Sequence, residues 1–452
     1  MNSTRAMTVS IARRHGVRLV NPKLCLALAA TSIFGSGATS HADVVAEWNA
    51  IAGEVVATID PAARARTIAI AQLAVFEAVN AIVGDFEPYL EKIDAPADAS
   101  PEAAAVAAAH RVLVALLAES SGKLDAHRAA SLAAIPDGAA EEHGIATGIA
   151  AADAILALRA GDGFDAEVPY SPGTSPGEWQ PTPPDFTPAY RPGLGLIAPF
   201  GMKRGSQFRV PRPPSLRSHK YARDHQEVMA VGAAESAERP QDRVDVARFF
   251  AAADTEQTHH PAARQLSAAQ GKTLSENARL FALLAMAGFD SAVACFESKY
   301  FYNTWRPIAA IREGDADGNR RTEADPEWTS LIDAPPFPGY PAGSSALDGA
   351  ARVILEHFFG DCGFSVTLTH PDVPGVTLHY TNWDQLSGDV DDARVDGGVH
   401  FRFDQEAGFR LGQRVGRYLL RHELRSARGR DCSKENGRRG HETPDGDGGI
   451  QP

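Results

Sequence analysis

From Val44 to about Ala160 apolar residues recur at intervals of three and four: Trp48, Ile51, Val55 and Ile59, then Leu73, Phe76 and Val79, then Ile145, Ile149, Ala152 and Ile155. That is the period of a helix with one buried face, and no alternating strand pattern competes with it. Alanine fills the intervals; it is the best helix former and lets neighbouring helices approach closely. A helical bundle is therefore expected. The texture breaks between Pro169 and Pro214, where twelve of the 30 prolines lie, so regular helix is excluded there. Trp179, Phe186, Tyr190, Phe200 and Phe208 are interspersed, which favours an ordered extended strap over a solvated linker. Helical texture returns around Tyr221 to Ala252. A stronger helix opens on the capping box Thr273-Leu-Ser-Glu276 and runs towards Lys299. Others are expected from about Ser345 to Phe359 and from about Phe403 to Leu424. The fold class is all-α. Asp315 to Asn319 lacks the glycine and glutamate placement of a calcium loop and reads as a turn.

The 452 residues divide on this reading into an N-terminal helical part at 43–168, the strap at 169–218, a C-terminal helical part at 219–424, and a disordered charged tail from 425. Residues 1–42 read as a cleavable export signal. Arg5, Arg13, Arg14, Arg18 and Lys23 make a basic start, Leu24 to Phe34 is an apolar run too short for a bilayer, and Ser40-His41-Ala42 offers a cleavage site. A periplasmic or secreted mature protein with no membrane span is expected, since no further apolar run of about 18 residues is evident. Losing the segment takes the net charge from −13 to −18, which argues against nucleic acid as a partner. Any anion chemistry must come from a local basic cluster. Cys295, Cys362 and Cys432 would remain, without the spacing of structural zinc, leaving at most one disulfide of undetermined pairing. A homodimer is compatible with this composition.

Three separated pieces carry chemistry. In Lys299-Tyr-Phe-Tyr-Asn-Thr-Trp305-Arg306-Pro307, a continuous helix would put Lys299 and Arg306 on nearly one face, as a solvated basic edge or as a pair around an anion. Pro338-Gly-Tyr340-Pro341-Ala342-Gly343-Ser344-Ser345 precedes a helix. It is either an oxyanion cradle of free backbone amides or a turn with a serine N-cap. In Arg394-Val-Asp-Gly-Gly-Val-His400-Phe-Arg-Phe-Asp404, a helix would bring His400 and Asp404 together. The carboxylate would then fix the imidazole tautomer and leave the other nitrogen free.

In this order, K-x6-R-P, P-x-G-x opening a helix, and R-x5-H-x3-D resemble the signature of the superfamily that joins vanadium-dependent haloperoxidases to type 2 phosphatidic acid phosphatases. The chain resembles the exported bacterial branch related to vanadium chloroperoxidase, also through Glu47-Trp48-Asn49, Phe86-Glu-Pro-Tyr-Leu90, Gly205-Ser-Gln-Phe208, Glu276-Asn-Ala-Arg-Leu-Phe281 and His400 to Gly408, over roughly Val44 to Leu424. The resemblance implies the helical bundle of the vanadium chloroperoxidase and acid phosphatase type. It implies vanadate as cofactor, held by Lys299, Arg306, Gly343, Ser344, Arg394 and His400, with His400 on vanadium. Lys299, His400 and Asp404 are the implied catalytic residues. Hydrogen peroxide, a halide and a small organic acceptor are the implied partners. A phosphatase of the same superfamily would instead use His400 to form a phosphohistidine.

One departure bears on activity. Where the family pattern reads P-S-G-H, this chain reads Pro341-Ala342-Gly343-Ser344. A hydroxyl cannot supply the general acid that imidazole does, and such a loss costs about 10²–10⁴ in rate. Phosphate-ester cleavage, which must protonate an alkoxide, suffers most. Oxidation of bromide or iodide suffers less than that of chloride. A catalytically weak oxyanion-binding relative is the third alternative.

Overall fold

The first three N-terminal helices start where a short polar side chain takes up free backbone amides. Asp43 accepts from the Val45 amide at the head of α1 (Val44–Val55), and Asp60 caps α2 (Pro61–Val83) with proline in its first turn. Ser100 does the same for α3 (Pro101–Leu116); α4 (Ser121–Leu132) and α5 (Ala139–Arg159) complete this half. The chain is seen in a computed structural model that describes residues 43–90 and 93–427. The expected export signal and the tail beyond 427 lie outside the described residues. Arg425 to Ala427 themselves pair with Asp85 to Glu87, through Glu87 N–H to Arg425 O (2.7 Å) and Ala427 N–H to Asp85 O (3.0 Å).

The strap holds only two short 3-10 turns, at Leu194–Leu196 and Gly205–Phe208, and Trp179 is fully buried within it. Beyond it come α6 (His219–Val231), α7 (Gln241–Ala252), α8 (Thr255–Gln270), α9 (Leu274–Tyr302), α10 (Pro307–Arg312) and α11 (Gly343–Phe359). An antiparallel hairpin, β1 (Cys362–Thr369) and β2 (Thr377–Asn382), leads to α12 (Trp383–Asp396) and α13 (Arg402–His422). The expected capping box at Thr273 and Glu276 is present at the head of α9.

The core is built around α9, which is buried on nearly every face, with α2 along one side and α11 and α13 along another. Contrary to the expectation from sequence, α2 and α9 are long and apolar enough to cross a membrane by length and composition; their most apolar windows are 78% and 89% buried inside the fold. Their apolarity serves the core, as in any central helix of a bundle. The strap is sewn to this core by Asp290 of α9, whose carboxylate accepts from the amides of Phe200 (2.6 Å), Gly201 (2.9 Å) and Met202 (2.9 Å). A second seam joins it to the chain after α9: Trp179 N–H donates to Asn303 O (2.9 Å) and Trp305 N–H to Gly177 O (3.0 Å). Cys362 is disulfide-bonded, and Cys295 is free and buried.

Candidate functional site

Lys299 and Arg306 do not share a helix. Asn303 caps α9 in the left-handed conformation (φ 51°), and Arg306 is extended (φ −91°, ψ 158°) because the following proline disfavours helical backbone before it. The break nevertheless buries both cations completely. Lys299 Nζ donates to Pro338 O (2.9 Å) and Gly339 O (2.8 Å). Arg306 Nε donates to Phe337 O (2.8 Å) and Nη1 to Val399 O (2.9 Å), while Nη2 is buried without a partner. The Phe337 ring stacks beneath both charges, 5.1 Å from Lys299 Nζ and 4.8 Å from the Arg306 guanidinium carbon. Three of the four carbonyls that fix the two cations come from 337–339, where the expected cradle begins; the fourth is that of Val399.

Arg394 sits in the last turn of α12. Its Nη1 donates to Phe250 O (3.0 Å) at the end of α7, and its Nε is buried without a partner. His400 lies before α13 rather than within it, so the expected helical pairing with Asp404 is replaced by a capping turn. Asp404, three residues after the N-cap Phe401, reaches back to accept from Phe401 N–H (3.1 Å) and from His400 Nδ1 (3.0 Å). That bond makes Nδ1 the protonated nitrogen and leaves Nε2 unprotonated, where it accepts from Arg306 Nη1 at 3.0 Å.

The electrostatics show that the groups converge. Burial, then the charges of Arg306, Lys299 and Arg394, hold the His400 imidazolium well below its ordinary pKa, so the ring is neutral. Burial pulls Lys299 down to about 7, with Arg306 and Arg394 pressing the same way and Cys295 and Asp404 opposing. Burial likewise lowers Arg306 to about 9 and Arg394 to about 10. Asp404 is raised to about 7 by burial and is already committed to His400. Three enclosed cations with so little compensating negative charge need an anion between them.

The N-terminus of α11 closes the site. Ala342, its N-cap, offers no side-chain bond, so the amides of the first turn stay available alongside the helix dipole. Ala342 N–H donates to Asp404 O (3.0 Å), tying this turn to the His400 turn. A side chain at Gly343 would meet nothing within 4 Å, so the backbone there borders open space. The Ser344 hydroxyl is buried and unpartnered, and so does not act as an N-cap. Every residue singled out from sequence thus gathers here. Missed from sequence were Phe337 and the carbonyls of 337–339 that hold the two cations.

Residues 279–429 match the family model for the second helical-bundle domain of VCPO. A stretch of 92 residues is 30% identical to vanadium chloroperoxidase of Curvularia inaequalis, spanning 18% of this chain and 14% of that protein's length. The C-terminal part of the chain is thus similar to vanadium haloperoxidases. The chain's fold is similar to that of a bacterial vanadium-dependent iodoperoxidase, with a TM-score of 0.73 at 22% identity over 86% of this chain and 98% of that one. It is also similar to a holo-type bacterial vanadium-dependent chloroperoxidase, with a TM-score of 0.65 at 19% identity over 82% and 94% of the two chains. The donor set at this site fits vanadate. Arg306 Nη2, Arg394 Nε and Ser344 Oγ are buried donors awaiting an acceptor, and His400 Nε2 is a lone pair suited to a metal.

Proposed function

We propose that this chain is a vanadate-dependent haloperoxidase that consumes hydrogen peroxide to oxidise iodide or bromide in preference to chloride, acting on a small organic acceptor outside the cytoplasm. The observation that carries this reading is the enclosure of Lys299, Arg306 and Arg394 around a neutral His400 whose Nδ1 is held by Asp404. Bound vanadate supplies the activation of peroxide for oxygen transfer to halide. The chain's residues do the rest. Arg306 and Arg394 offset the oxyanion charge, the first-turn amides of α11 donate to it, and His400 offers Nε2 with its orientation fixed from behind. Lys299, held by two carbonyls and with its pKa near 7, is a donor that can place a proton where oxygen leaves. Ser344 gives hydrogen bonds but no acid near neutrality, which supports the softer halides and speaks against phosphate-ester cleavage.

The test loads purified protein with vanadate, adds peroxide with iodide or bromide, and follows triiodide formation or bromination of a phenolic dye. Turnover is expected with both halides, and Lys299→Ala should reduce it by about 10²-fold, as for removal of one positioned electrostatic group. Hydrolysis of p-nitrophenyl phosphate, blocked by vanadate and unaccompanied by halide oxidation, would overturn the reading in favour of the phosphatase.

A further inference from the structure

The two sides of α13 differ sharply. Leu411, Gly412, Val415, Gly416 and Leu419 face the core, whereas Arg410, Arg414, Arg417 and Arg421 follow one another at intervals of four, three and four and are all exposed. At 3.6 residues per turn those four side chains fall within about 60° of one another and run for about 16 Å along the helix.

The strap continues this face. Phe208 packs against Tyr418 of α13 (ring centroids 5.5 Å apart) and lies 5.1 Å beneath the Arg414 guanidinium carbon, while a side chain at Gly201 would strike Leu419 and Glu423. Between these contacts Lys203 and Arg204 are exposed, and from 191 to 210 the strap carries no acid. Two strap turns then seat on α9 at Glu297: a side chain at Gly195 would meet the Glu297 backbone at 2.4 Å, and one at Gly205 would meet the Glu297 side chain at 3.3 Å. This seating leaves Leu196 73% exposed and Phe301, one turn beyond Glu297 on α9, 57% exposed, with the Arg209 guanidinium carbon 3.5 Å over the Phe301 ring. A stripe of exposed cations and two protruding large apolar side chains are thus linked by contact.

The acids around this face do little to offset it. Glu297 is paired with Arg209 (3.0 Å) and Glu406 with Lys220 (3.0 Å). Burial raises Glu423 to about 7, with Asp290 adding to the rise and Arg425 opposing it. Arg410 comes only within 4.0 Å of Glu406, and Arg414, Arg417 and Arg421 form no ion pair among the described residues. The whole chain carries −13, so this concentration of cations runs against the molecular field. Salt screens charges beyond about 8–10 Å, so a surface that comes close meets the local face and not the net charge. A soluble polyanion would engage the cations alone. Large apolar side chains held clear of the core beside them gain only where hydrocarbon lies behind the negative charge.

We propose that α13 and the strap turns beside it form a docking face for an anionic phospholipid bilayer, with the arginines on the headgroup phosphates and Leu196 and Phe301 entering the headgroup boundary. The chain then lies on a membrane without crossing it. The inference is independent of the oxyanion pocket, to which none of these side chains contributes.

Sedimentation of the full chain with vesicles tests this, using phosphatidylglycerol and phosphatidylcholine in equal parts against phosphatidylcholine alone. Binding to the charged vesicles is expected to exceed binding to the neutral ones and to weaken as salt is raised. Each arginine near such a surface contributes about fivefold, so Arg410→Gln, Arg417→Gln and Arg421→Gln combined should lower the partition coefficient by about 10²-fold. Leu196→Ser with Phe301→Ser should lower it by about tenfold. All five positions are exposed, so melting temperatures close to that of the wild type are expected. Residues 1–42 are common to all the proteins compared, and the ratio of variant to wild type reports the face. A triple arginine variant that binds as the wild type does, or a wild type that does not distinguish charged from neutral vesicles, overturns the proposal. A loss in the arginine variant with none in the apolar one assigns the face to a soluble polyanion and overturns the bilayer as its partner.

Discussion

Ser344 concentrates the question of how active this pocket is. Its hydroxyl is buried with no partner, at the head of a helix whose first amides are free. A group of ordinary hydroxyl acidity there can orient an oxyanion and cannot protonate a leaving oxygen at neutral pH. Ser344→His is expected to raise bromide turnover about tenfold or more and to bring chloride oxidation within reach, measured by steady-state halogenation. A parallel melting curve would separate this gain from overpacking. That Lys299, Arg306, Arg394 and His400 lie near one another was expected from sequence, but two of the local geometries were not. Lys299 and Arg306 were expected on one helical face and are instead joined through a break, which Asn303 and Pro307 signal in hindsight. His400 and Asp404 were expected to meet as helical neighbours and meet through a capping turn. Spacing reports that two side chains are close; it does not say which backbone shape makes them so.

At the scale of elements, the cradle is held by the contact between α11 and α13. Gly408, Gly412 and Gly416 form a stripe on α13, and a side chain on each would strike α11 backbone: the carbonyls of Ala342 at 2.2 Å, Ala346 at 1.9 Å and Ala350 at 2.8 Å. The helices are therefore pressed together along the turns that begin at Gly343 and at His400. Gly412→Ala must push them apart. It is expected to cost about 1–3 kcal/mol, seen as a lower melting temperature, and to weaken tungstate or vanadate binding although residue 412 touches no ligand. The helices that were legible show an apolar face. Of those that were not, α8 has Pro261 inside it and α12 carries Asp384, Asp389, Asp391, Asp392 and Asp396 in 14 residues, although both are capped at their N-termini. The acids of α12 look like solvent-facing residues in sequence; in the fold Arg243 of α7 pairs with Asp389 and Asp396, Arg402 of α13 with Asp392 and Arg352 of α11 with Asp384. The hairpin was missed for a similar reason, since its alternation is clear only at Val366 and Leu368 in β1 and at Leu378 and Tyr380 in β2.

Across the whole molecule, α2 packs directly on α9 and the strap is fastened over the same core. Its anchor, Asp290, is fully buried and raised to about 6 by desolvation, against the pull of three strap amides and Arg159. A carboxyl whose folded pKa lies above its unfolded one contributes stability that is complete below the unfolded value and lost as pH rises through the folded one. The melting temperature of the wild type relative to Asp290→Asn should therefore fall between about pH 4 and 6.5 and level off above that. Thermal unfolding of both proteins across that range would check it, and a difference independent of pH would exclude a titrating anchor. That an ordered strap existed was legible from its buried aromatics; where it fastens was not, because Asp290 lies amid an apolar run and its partners are backbone groups.

The second seam has its own consequence. The strap grips the chain at Asn303 and Trp305, between the two halves of the basic pair, and contributes no side chain to the pocket. It works as a splint across a joint: the distance from Lys299 to Arg306 is maintained by residues more than a hundred positions away. Strain or a nick anywhere along that proline-rich span would be felt as a loosened grip on the anion, by a protein whose ligand contacts were all intact.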